Sequence, residues 1–164
     1  MLKNRLTILA VGILGNQMLV WSFDYLLYPF VLYKFGLKIG GSLMIFLSFI
    51  VCLATLFLYD FLQKDWLGIE MIKQFKSSET HNRLYQFASK LLNKSDWFVM
   101  VLLSLRFDPF ITTIYMRQGV NEYNGMKRRD WIIFLTSLTI SNLYWLIVVE
   151  AGIDFFKYLR TCLL

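Results

Sequence analysis

The sequence contains two prolines, two cysteines and one histidine in 164 residues, and only 17% of its residues are charged. Each scarcity removes a class of protein. Cys52 lies inside an apolar run and Cys162 stands beside the C-terminal end, so neither a disulfide scaffold nor a CxxC metal motif is available. One histidine, His81, cannot by itself build a metal or acid–base centre, and no P-loop, dinucleotide fingerprint or nucleophile elbow is present. The few charges bunch between apolar stretches, a pattern that excludes disorder and a coiled coil. No catalytic residue, cofactor or metal site is therefore expected, and the chain reads as a non-enzyme.

What the sequence has in excess is apolar and aromatic residues, 57% and 18%, with a mean hydropathy of +0.53. That composition exceeds that of soluble domains and points to an integral membrane protein. The net charge of +6 flanks the apolar stretches, where it sets orientation and meets anionic headgroups. No nucleic acid is expected as a partner.

The fold expected is all-α: a four-helix integral membrane bundle in a single domain spanning residues 1–164. A hydrocarbon core of ~30 Å takes about 20 helical residues, and four stretches are long enough: 7–30, 41–62, 97–116 and 131–152. Between the second and third, residues 63–95 carry apolar and basic residues at helical spacing. Trp66, Ile69, Ile72 and Phe75 alternate with Lys73 and Lys76, and Leu84, Phe87 and Leu91 with Arg83, Lys90 and Lys94. That pattern predicts a short amphipathic interfacial segment on the cytoplasmic face, touching lipid or a soluble partner. Ten lysines and arginines fall on the side of both termini and the 63–95 loop, against six on the other side. The positive-inside rule then places both termini in the cytoplasm, as in a bacterial inner membrane.

Three Asp-Trp pairs, Asp65-Trp66, Asp96-Trp97 and Asp130-Trp131, stand where helices are expected to start. Aspartate accepts hydrogen bonds from a first helical turn, and the indole favours the membrane–water boundary, so Trp66, Trp97 and Trp131 read as interfacial anchors. Pro29 and Pro109 fall late in the first and third stretches and predict kinks there. Their similar settings also suggest two related hairpins. Ser137, Ser141 and Asn142 form a polar packing face on the fourth helix.

The functional expectation rests on ionisable residues inside the apolar stretches, which are costly in lipid and need a partner or a polar cavity. Asp24, Arg106 and Asp108 qualify, and an ion pair between Arg106 and Asp24 is expected. Asp60 and Glu150, nearer their helix ends, read as interfacial. Two functions fit this cluster. One is a non-enzymatic subunit or scaffold that assembles with itself or other membrane proteins; the other is a small ion- or proton-coupled transporter working as a homo-oligomer.

Overall fold

The computed structural model describes residues 2–70, 73, 96–117 and 123–163, and the regular structure among them is all helical, joined by short turns. Helix α1 (Leu2–Trp21) runs through a π-helical turn (Ser22–Leu27) into α2 (Tyr28–Leu62). Among the described residues three further helices follow: α3 (Asp96–Arg106), α4 (Pro109–Met116) and α5 (Arg128–Leu163). Most of the expected segment 63–95, including His81, lies outside the described residues.

Among the described residues, two helical runs, Thr7–Leu62 and Arg128–Cys162, are long and apolar enough to cross a membrane by length and composition. The first reverses on itself. Gly36 adopts φ 72° and ψ 171°, a combination open essentially to glycine alone. A Cβ on Gly40 would stand 2.9 Å from the Val31 carbonyl oxygen, so the two arms pack backbone to backbone. Tyr28 and Ser48 accordingly meet the same side chain, Asn142, although 20 residues of straight helix would separate them by about 30 Å.

Pro29 does not kink this run. Its missing N–H and its clash with the carbonyl four residues earlier are absorbed by the widened π turn that precedes it. Pro109 acts differently. The residue before a proline is steered away from helical ψ, and Asp108 sits at φ −63° and ψ 151°. Where 97–116 was expected to run as one kinked helix, it therefore splits into α3 and α4, with Phe107 and Asp108 between them.

The two pieces fold back on each other. Ser104 Oγ donates to Ser137 Oγ at 2.8 Å, while Trp97 and Met100 share a groove with Arg129 and Ile133, so α3 runs parallel to α5. Arg117, just past α4, pairs with Asp130 near the start of α5, so α4 runs antiparallel to it. Leu62, Trp97, Met116 and Arg128 thus gather at one end of the bundle, called here the basal end. Gly36 marks the other. The two halves of the chain are built differently, one as a full-length hairpin and the other as a half-length hairpin followed by a long helix.

Two apolar clusters hold the bundle. Leu56, Tyr59, Phe110, Ile114 and Phe134 pack toward the basal end, and Tyr28, Val31, Leu32, Met44 and Val149 toward the Gly36 end. At the basal end, Gln63 in the left-handed conformation stops α2, and the turn that follows tucks Trp66 against Gly12.

Candidate functional site

The polar layer between the two apolar clusters lies at one depth. From basal contacts, Gly12 against Trp66, Asp60 against Arg117 and Asp130 against Arg117, a count of twelve residues along each helix reaches Asp24, Ser48 and Asn142. Twelve residues at 1.5 Å each is about 18 Å, near the middle of a 36-residue helix such as α5. The α3–α4 hairpin ends at the same level, since Asp108 is nine residues, about 14 Å, from Arg117.

At this level Asn142 links two helical runs. Its side-chain oxygen accepts from Tyr28 at 2.5 Å, and its amide donates to Ser48 Oγ at 3.3 Å and to the Leu138 carbonyl at 2.8 Å. The expected packing face is thus resolved into separate tasks. Ser137 is buried and bonded to Ser104, Asn142 is buried at the crossing of α2 and α5, and Ser141 faces a cavity.

That cavity has a volume of about 470 Å³ and is bounded by Asp24, Arg106, Asp108 and Ser141. A smaller chamber of about 30 Å³, room for one water molecule, lies behind it among Asp24, Asp108, Tyr28, Ser48 and Cys52. Asp24 is buried, and Asp108 caps the open start of α4 without a side-chain capping bond. Among the described residues, neither carboxylate has a hydrogen-bonding or ion-pair partner. The structure therefore brings the three sequence-picked charges to one cavity, but not into the expected contact. Arg106 ends α3 with its side chain exposed and its guanidinium 5.9 Å from the Phe107 ring centre, and no ion pair to Asp24 forms.

A second charged cluster was missed by sequence reasoning. Asp60 accepts both terminal guanidinium nitrogens of Arg117, one of them at 3.0 Å, and Arg117 Nε lies 3.8 Å from Asp130 Oδ2. All three side chains are at most 10% exposed. The sequence pattern gives Asp60 only an interfacial place and singles out no role for Arg117. The fold-back of α4 brings them together, and no local pattern announces such a pairing.

The tryptophans divide. Trp97 is 63% exposed, whereas Trp66 packs on Tyr59 with its indole N–H buried, and Trp131 stacks edge-on against Phe134. Asp130 does cap α5, accepting the Lys127 backbone N–H at 3.1 Å, but Asp65 sits in a turn and accepts from the Tyr59 hydroxyl. Nearby, the Tyr123 hydroxyl is pushed above its ordinary range by burial and then by the neighbouring Glu70 and Asp65 carboxylates. Comparison with known proteins finds no matching family model, no matching curated protein and no matching solved structure.

Proposed function

We propose that this protein is a small membrane-embedded transporter, ion- or proton-coupled, whose site is the Asp24–Arg106–Asp108 cavity. The single observation that carries this reading is the half-length hairpin. Two carboxylates without a partner among the described residues, the buried Asp24 and the partly exposed Asp108, face a cavity where a helix is interrupted, and interrupted helices beside midplane charges are a recurrent way to build an ion or substrate site in lipid. A scaffold needs no such cavity, so the assembly-subunit reading takes second place.

In this reading three helical crossings, 7–35, 37–62 and 128–152, enclose a re-entrant α3–α4 pair. The outward faces agree with lipid as solvent: Tyr33, Phe61 and Ile147, one on each crossing, are each more than 65% exposed. The basal end faces the cytoplasm. Segments that begin and end there carry twelve of the seventeen lysines and arginines, and the opposite side carries Lys34, Lys38, Lys157 and Arg160. This partition is steeper than the one four crossings would give, and it puts the C-terminal end outside.

The test is flux in proteoliposomes under imposed proton, sodium and potassium gradients. Wild type is expected to dissipate one of these gradients, while Asp24→Asn and Asp108→Asn lose that activity and keep their thermal midpoints within a few degrees. Flux unchanged in Asp108→Asn, or none above empty vesicles, would overturn the proposal.

A further inference from the structure

At the basal end, away from the charged cavity, a groove of about 480 Å³ runs between the α3–α4 hairpin and the start of α5. Its walls are Trp97, Met100, Met116, Ile132 and Ile133, and its rim carries Arg128 and Arg129. This is an amphiphilic mould with apolar sides and cations at one edge. Arg128 is exposed and has no ion-pair partner among the described residues, because the nearby Asp130 is committed to the Lys127 backbone and to Arg117. Both arginines also begin α5, where the first helical turn presents backbone N–H groups to an anion.

From this juxtaposition we propose that the groove binds one anionic phospholipid of the bilayer, its phosphate on Arg128 and Arg129 and an acyl chain along Trp97, Met100 and Ile132. The charge complementarity selects an anion, and the apolar walls select a lipid over free phosphate. The depth agrees. The groove opens at the level of Trp97 and Met116, the entry points of the hairpin, where a headgroup layer would lie. A lipid seated there would wedge between α3 and α5 and brace the base of the hairpin that carries Arg106 and Asp108. The inference depends on membrane placement but not on transport, and its test uses no flux.

Two interfacial cations contribute about 1 kcal/mol each, so the groove should prefer an anionic over a zwitterionic headgroup by roughly 30-fold, at 1.4 kcal/mol per tenfold. Bromine on an acyl chain quenches tryptophan on contact. Purified protein would be placed in phosphatidylcholine bilayers containing a small fraction of either brominated phosphatidylglycerol or brominated phosphatidylcholine. The emission of Trp97 is isolated as the difference between wild type and Trp97→Phe.

The expected result is strong quenching of Trp97 by the brominated anionic lipid and weak quenching by the brominated zwitterionic one. Arg128→Gln/Arg129→Gln should abolish the difference, and Arg128→Gln alone should reduce it about fivefold. Lys34→Gln/Lys38→Gln, at the opposite end, should leave it intact. Unchanged quenching of the other four tryptophans reports that each variant is folded. Equal quenching by the two lipids in wild type overturns the proposal. So does a preference that survives the double arginine variant, which would reflect general surface charge instead of a site.

Discussion

Replacing Arg117 by methionine is the sharpest test of the basal architecture. The guanidinium serves two carboxylates on two different helices, Asp60 on α2 and Asp130 on α5, with all three side chains almost wholly buried. At about 4 Å and an effective dielectric near 20, each such contact is worth roughly 4 kcal/mol before desolvation is charged against it. Removing the cation leaves both carboxylates buried and facing each other, and breaking a buried pair from one side costs about 3–5 kcal/mol. At 2–4 °C per kcal/mol for a chain of this size, the melting midpoint in detergent should fall by roughly 6–20 °C. Asp60→Asn placed in the Arg117→Met background should recover part of that loss, whereas the same change in wild type should destabilise. The double-mutant cycle should return a coupling of at least about 2 kcal/mol. Arg117→Lys keeps the charge but loses the two-pronged geometry, and an intermediate loss is expected. A loss under about 1 kcal/mol for Arg117→Met, or additive effects in the cycle, would refute the claim that this residue fastens the hairpin to the bundle.

Three further outcomes are expected. Cys162 is exposed near the end of α5 and Cys52 is buried, so a membrane-impermeant maleimide should label intact cells at Cys162 and lose that labelling in Cys162→Ser. Labelling only after lysis would restore a four-crossing arrangement. Gly36→Ala should cost on the order of 1–3 kcal/mol because of its left-handed backbone, and Gly40→Leu should cost more, since its side chain would meet the Val31 carbonyl; a thermal melt checks both. Tyr123 holds its proton more tightly in the folded state than its ordinary value of 10.0. Its contribution to stability is thus full below pH 10 and is lost as pH rises toward the folded value. The fall in midpoint between pH 9 and 11 should be shallower in Tyr123→Phe, and identical slopes would count against the assigned environment.

Composition and local chemistry were enough to determine the helical class, the apolar runs and the residues Asp24, Arg106 and Asp108, because an ionisable group in an apolar stretch stands out without knowing what surrounds it. Pro109 was legible as a disturbance, and its effect on Asp108 is local, since the proline ring restricts only the residue before it. What happens after the break is not local. Whether the chain resumes its direction or folds back depends on what α4 packs against, and Phe110, Ile114 and Arg117 find their partners on α2 and α5, more than a dozen residues away in sequence. The same holds for the Gly36 turn. A lone glycine in an apolar run permits a reversal, but the fit of Gly40 on Val31 and of Tyr28 on Asn142 decides it. The sequence by itself thus determined which groups are expensive to bury, since that cost belongs to each side chain. Only the tertiary structure decided which of them meet, because a helix pattern repeats every 3.6 residues and carries no record of the neighbour it will face.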